Sequence, residues 1–426
     1  MPVNPGLMRF PDILLPLSFF LASVAYPADW PQWRGPERTG CVPAGVAVPT
    51  ALPAEPKVAW HIKIGDGLAS PVVSSGRVFY LDNQLGRETL HVLDLADAKE
   101  IWHGDIDETF ADAQSSPGPR CTPTVDGDRV YVQSCRGELR CMETADGRLL
   151  WHANYVTDFG AVVMGENGNS QGASRHGYSA SPVVDGAALF ALVGGKDGAA
   201  VVAFEKRTGR VLWKSQNDEP AYAAPVIATI GGVKQLVAFT VDGAVGLALE
   251  DGGLLWRIPL KTSSGRHVTT PVVVDDMVLV ASHEIGMAGI KVTRNSDGWQ
   301  AAQAWRSRES AVNFSSPVAA GNYCFGLGPN KNLFCTEIKT GRQAWSKEGY
   351  INGGAERSHA SFIAMGENIL TLTDGGQLVL FSAKPEAFKE IGQAQVCGKN
   401  WCNPAYADGK LYLRDGRELV CVDLLP

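Results

Sequence analysis

The chain has 426 residues, 45% of them hydrophobic and 19% charged, which excludes a disordered polymer and supplies enough apolar surface for a sizeable core. Its 38 basic against 45 acidic side chains leave a formal charge of -7, and no Lys/Arg run occurs, which excludes nucleic acid as the main partner. The 47 glycines and 25 prolines are spread along the chain, a distribution that suits many short strands joined by tight turns.

In chain order, the first predicted element is a targeting segment. Arg9 is followed by the apolar run Ile13 to Val24, too short to span a bilayer, and Ser23 and Ala25 fit the small-x-small cleavage pattern. Residues 1–25 are therefore read as a signal peptide. No cysteine follows the run to carry a lipid anchor. A Pro-rich arm over residues 26–56 comes next, carrying Trp30-Pro31-Gln32-Trp33-Arg34-Gly35-Pro36, and is expected to lie against the following domain.

From residue 57 the chain repeats. A Ser/Thr/Ala-Pro-Val-like strand start recurs at Ser70, Thr122, Ser181, Ala224, Thr270 and Ser316, with weaker copies at Ser361 and Asn403. Each start leads through turns such as Asp126-Gly127 to further strands and closes on tryptophan: Trp60, Trp102, Trp151, Trp213, Trp256, Trp305 and Trp345. The seventh repeat has no such tryptophan, and Phe388 is the expected substitute. A helix-poor unit of about 45 residues is the size of one four-stranded propeller blade. The closing indoles are expected to fill the wedges between blades. The C-terminal repeat lacks its outer strand, whereas Lys57 to Ile64 carries Trp60 with no strands before it. Joining the two predicts an all-β, eight-bladed propeller of four-stranded antiparallel blades over residues 57–426, closed by an N-terminal strand that completes the last blade.

The nine cysteines include no CxxC and no adjacent pair. An oxidising compartment permits bridges, so Cys324 with Cys335, flanking the turn Gly328-Pro329-Asn330, and Cys397 with Cys402, in one loop, are candidate disulfides; the alternative is small buried thiols. The eight histidines have no HxxxH or HxH spacing and no Cys/His group has zinc-site spacing, so no metal site is expected. No nucleophile elbow or P-loop occurs, and no catalytic residue is assigned.

In a propeller the loops running into the innermost strands converge on one rim. Asp66, Tyr222 and Asn313 fall there, and Arg120, Arg175, His176, His267, Arg357, His359 and Asn400 make up a candidate funnel-rim site for a small anion or an acidic peptide segment. The competing role for these groups is to satisfy loop backbone.

The Ser-Pro-Val starts, the Asp-Gly turns and phrases such as Gly209-Arg210-Val211-Leu212-Trp213 resemble the PQQ-like (quinoprotein-type) β-propeller repeat family, and the arm motif is similar to that of exported BamB-like bacterial propellers. The resemblance implies a non-catalytic, monomeric scaffold in the periplasm or cell envelope, without a transmembrane span, that docks envelope proteins or peptide segments and uses no cofactor. The alternative it implies is a PQQ-dependent dehydrogenase-like protein, or a small-ligand binder, with PQQ and calcium in the funnel; the adjacent cysteine pair of many such enzymes is absent.

Overall fold

The computed structural model describes residues 1–2, 29–112, 115–163, 173–351 and 358–425. Apart from residues 1 and 2, the expected signal peptide lies outside the described residues, as do Arg357 and the segment Gly165 to Asn169 of the longest inter-blade connection.

Eight separate four-stranded antiparallel sheets form the blades. Blade one consists of the strands Val72–Ser74, Arg77–Gln84, Arg87–Asp94 and Glu100–Glu108, and blades two to seven follow in order with the same meander. Blade eight takes Ala405–Ala407, Lys410–Arg414 and Glu418–Asp423 from the C-terminus and completes itself with Val58–Lys63, paired antiparallel to Glu418–Asp423. The short first strands of neighbouring blades touch one another and so line the axis. Apolar clusters fill the wedges between blades, as where Phe190 and Trp213 of blade three meet Leu236 and Val245 of blade four.

The Ser-Pro-Val signature acquires a physical meaning here. The Asn403 N–H donates to Ser70 Oγ at 2.9 Å, the Ser70 N–H to Thr122 Oγ1 at 3.2 Å, and the Thr122 N–H to Ser181 Oγ at 2.9 Å. The hydroxyl at each strand start thus accepts from the equivalent residue of the preceding blade, linking blades eight, one, two and three. The same bond joins Thr270 of blade five to Ser316 of blade six at 3.0 Å. Buried backbone donors need such partners.

The closing tryptophans follow a second rule. Every outer strand carries a bulge just before the tryptophan position. The indoles of Trp60, Trp102, Trp151, Trp213, Trp305 and Trp345 donate, at 2.9–3.0 Å, to the carbonyls of Leu95, Thr144, Lys206, Leu249, Ile338 and Lys384. Each acceptor lies just past the third strand of the next blade. For Trp102, Trp151, Trp213 and Trp305 a turn glycine of that blade lies under the ring: a Cβ on Gly209 would fall 2.7 Å from Trp151, and one on Gly252 2.6 Å from Trp213. Trp256 departs from the rule and donates to Gln235 Oε1 of its own blade at 2.6 Å. The reason is the next blade, whose outer hairpin extends through ten-residue strands, Gly286–Asn295 and Gly298–Ser307, and offers no tight turn at that height.

Two expectations require correction. In blade seven Phe388 does not take the tryptophan seat; Gly392 stands there, opposite Leu380, and Leu52 of the arm packs onto it. Phe388 instead lies edge-on to Trp345, 5.4 Å between centroids. The proposed disulfides are absent as well. Cys324 stands opposite Thr336 and Cys335 opposite Phe325, so the two thiols point to opposite faces of the sheet, into different apolar clusters. Cys397 Sγ lies at the Gly398 carbonyl and Cys402 Sγ at that of Leu68, so both are free thiols aimed at different carbonyls.

Candidate functional site: a plugged axial funnel

The arm does more than lie on the surface. Trp30 pairs with Val73 of blade one, the Pro31 carbonyl accepts from the Val125 N–H of blade two, Cys41 bridges to Ala364 of blade seven, and the Ala47 carbonyl accepts from Tyr406 of blade eight. Arg38 donates to the Ser181 and Pro182 carbonyls of blade three, both at 2.7 Å, and Arg34 to those of Ser316 and Pro317 of blade six at 2.9 and 2.6 Å. Both guanidiniums are buried, and desolvation lowers Arg34 to about 10 and Arg38 to about 9. The Trp33 indole donates to Thr270 Oγ1 of blade five at 2.8 Å. Because these residues bind first strands all round the axis, the arm closes the channel and leaves a blind funnel, with Trp33 in its floor.

The funnel encloses about 1020 Å³. Of the sequence-predicted rim residues, Asp66, Arg120, His176, Tyr222, His359 and Asn400 line it. On one wall Arg120 Nη2 lies 3.1 Å from Asp112 Oδ2, and His176 Nδ1 lies 2.9 Å from the same oxygen. Arg120 also donates to the His176 carbonyl and stacks over Phe110 at 5.1 Å. Burial lowers the His176 pKa, with Asp112 acting against it. On the other wall His359 stacks on Trp401 at 5.6 Å and 11°, Trp401 meets Phe314 edge-on at 5.2 Å, and Arg266 sits over Phe314 at 5.2 Å. Desolvation alone lowers His359 to about 4, so the ring is neutral. Neither of its nitrogens has a hydrogen-bond partner, nor has Asn400 Oδ1, although Asn400 Nδ2 donates to the Thr373 carbonyl at 2.7 Å. A buried polar group without a partner costs about 1–3 kcal/mol, so these atoms are suited to a ligand that satisfies them.

The rim expectation fails for His267. Its ring is fully buried, stacked on Phe239 at 4.1 Å and 2°, with Nδ1 bonded to the Thr240 carbonyl at 2.6 Å, so it serves the loop backbone. Its neighbour Arg266 lines the funnel instead, a one-residue alternation that spacing could not resolve. Arg175, on the short helix Ala173–His176, is not a lining residue. Trp33, Phe314 and Trp401 were missed as site residues. The available signal was that Phe314 and Trp401 are aromatics placed shortly before an innermost strand.

Residues 48–170 and 155–347 match the family model described as outer membrane protein assembly factor BamB. The chain belongs to the BamB family. A BamB of Shewanella oneidensis is 19% identical over 319 residues, covering 70% of this chain and 72% of that protein. The crystal structure of BamB from Moraxella catarrhalis superposes with a TM-score of 0.59 at 13% identity, covering 86% of this chain and 99% of that one. The same fold occurs in the quinohemoprotein alcohol dehydrogenase of Comamonas testosteroni, with a TM-score of 0.63 at 13% identity over 93% of this chain and 80% of that one. This BamB-family propeller therefore shares its ring with both assembly factors and dehydrogenases. Among the described residues no helix is long and apolar enough to cross a membrane.

Proposed function

We propose that this propeller is an exported, non-catalytic scaffold of the periplasm or cell envelope that docks envelope proteins, with the funnel accepting an acidic or aromatic peptide segment. The observation that carries the reading is the plugged axis. With its floor closed by the arm, the ring is a rigid platform whose aromatic wall, Trp401 and Phe314, is bordered by Arg266, Lys399 and Arg417. Aromatic faces and cations near a concave floor match extended segments bearing carboxylates or rings.

The alternative, a quinone-dependent dehydrogenase, is less well supported. Among the described residues the carboxylates lining the funnel are Asp66 and Asp415; Asp112, beside them, is held by Arg120 and His176, and Asp415 accepts N–H bonds from Gly398, Arg417 and Glu418, each at 2.8 Å. A carboxylate spent on capping its own loop is poorly placed to hold calcium beside a quinone. A small ligand carrying both a hydrogen-bond donor and an acceptor is favoured by the two unpartnered nitrogens of the neutral His359 ring.

Capture of envelope proteins with the wild-type chain and with Trp401→Ala plus Arg417→Glu tests the reading. Partners retained by the wild type and lost from the variant are expected. Dye-linked alcohol oxidation on addition of PQQ and calcium would overturn it in favour of the enzyme.

A further inference from the structure

We propose that blade one carries a transition-metal site, separate from the funnel, in which His91, Glu100 and His103 bind a zinc-like divalent cation with water completing the coordination. His91 and His103 are direct partners on the antiparallel strands Arg87–Asp94 and Glu100–Glu108, so their side chains share a face, with ring centroids 5.6 Å apart. Glu100 would fall on the other face of a regular strand. The bulge between Glu100 and Trp102 inserts Ile101 and returns Glu100 to the histidine face. The same bulge precedes the closing position in every blade, and in this one it also completes a ligand set.

The carboxylate faces both rings. Its Oε2 lies 2.6 Å from His91 Nδ1 and its Oε1 2.7 Å from His103 Nδ1. One ligand atom from each of the three residues can be chosen so that all lie within 4.8 Å of one another. Behind them is a built support. His91 Nε2 lies 3.1 Å from Asp82 Oδ1, and Asp82 is fully buried, its Oδ2 accepting from the Gly65 N–H at 2.7 Å and from Gln84 Nε2 at 2.9 Å. A carboxylate held in this way accepts the hydrogen bond from Nε2–H and leaves the Nδ1 lone pair on the Glu100 side, the arrangement that orients a metal-binding imidazole. The Tyr80 ring, stacked on His91 at 4.7 Å and 11°, fixes its plane.

Glu100 faces both Nδ1 atoms, so a divalent cation seated between them would draw on both imidazole lone pairs and the carboxylate at once. The side chains of Glu100 and His103 are 41% and 59% exposed against 9% for His91, which gives the ion an entry path on a fixed base. Two imidazoles and one carboxylate are a donor set suited to zinc, and to copper or nickel, rather than to calcium.

The test is titration of the full chain with Zn²⁺ by calorimetry and with Co²⁺ by absorption spectroscopy. One equivalent is expected, with the d–d bands of a nitrogen and oxygen site and no thiolate charge-transfer band. Affinity should fall at least tenfold in His103→Ala and in Glu100→Gln, whose exposed side chains can be changed without loss of fold, and should be unchanged in Cys41→Ser plus Cys397→Ser. Absence of wild-type binding, unchanged affinity in both site variants, or loss of binding in the cysteine variant would each overturn the proposal.

Discussion

Leu52 of the N-terminal arm packs onto Gly392, the position at which the other seven blades carry a tryptophan. A Cβ at Gly392 would fall 2.9 Å from the Leu52 carbonyl oxygen, so this seat accommodates the arm only while it has no side chain of its own. Leu52→Ala is expected to cost about 2–4 kcal/mol, the usual range for a buried leucine. Limited proteolysis should then cut the arm faster than in the wild type, and an unchanged cleavage rate would refute the seat.

Trp213 unites two blades through its indole bond to the Leu249 carbonyl and its place over Gly252. Trp213→Ala should destabilise the ring by roughly 3–5 kcal/mol. Trp213→Phe keeps most of the buried area and should lose about 1 kcal/mol, the worth of the hydrogen bond. Urea denaturation of the two variants checks the ordering; equal losses would mean that packing contributes little.

Arg38 is buried with backbone carbonyls as its hydrogen-bond acceptors. Arg38→Met leaves the Ser181 carbonyl without that donor, while the Pro182 carbonyl keeps its bond from Thr124 Oγ1 at 2.8 Å. Loss of about 1–3 kcal/mol is expected, less than for breaking a buried ion pair, because no opposite charge is stranded. Thermal melting that shows no change would indicate that the plug is held by its aromatic residues.

Glu88 is fully buried and accepts the Cys135 N–H at 3.2 Å, and burial raises its pKa from 4.5 to about 7. The folded chain therefore holds this proton more tightly than the unfolded chain. Stability is greatest below pH 4.5 for this group and declines as pH rises towards 7, by on the order of 3 kcal/mol. Glu88→Gln should remove that slope. Parallel denaturation curves of the two proteins at pH 4.5 and pH 7.5 measure it, and a constant difference between them would contradict the assignment.

His359 gives up stability through its two unpartnered nitrogens. His359→Phe should raise stability by about 1–3 kcal/mol while weakening whatever the funnel holds. A lower melting temperature in the variant would imply that the nitrogens are satisfied in solution.

Blade number and ring closure were legible in the sequence because most repeats share the same local events: a Ser/Thr/Ala-Pro start, a tight turn such as Asp126-Gly127 and a closing tryptophan. The missing strand beyond Glu418–Asp423 and the surplus strand Val58–Lys63 could be matched by counting. Half of the funnel rim was legible too, since position before an innermost strand selects the height on the rim. Position does not select the face, and that is why Arg266 rather than His267 reaches the cavity. Register likewise separated Cys324 from Cys335 by one residue and sent them to opposite faces.

What the amino-acid order determined alone is the repeating unit, because period, turn chemistry and strand alternation are local properties of the chain. Tertiary structure decided the arm as an axial plug held by carbonyls of blades three and six and Leu52 in a vacant tryptophan seat, both of which depend on partners distant in sequence, and the bulge that gathers His91, Glu100 and His103. Backbone carbonyls are present at every residue and so leave no mark in a sequence; only the closed ring selects which of them face Arg34 and Arg38.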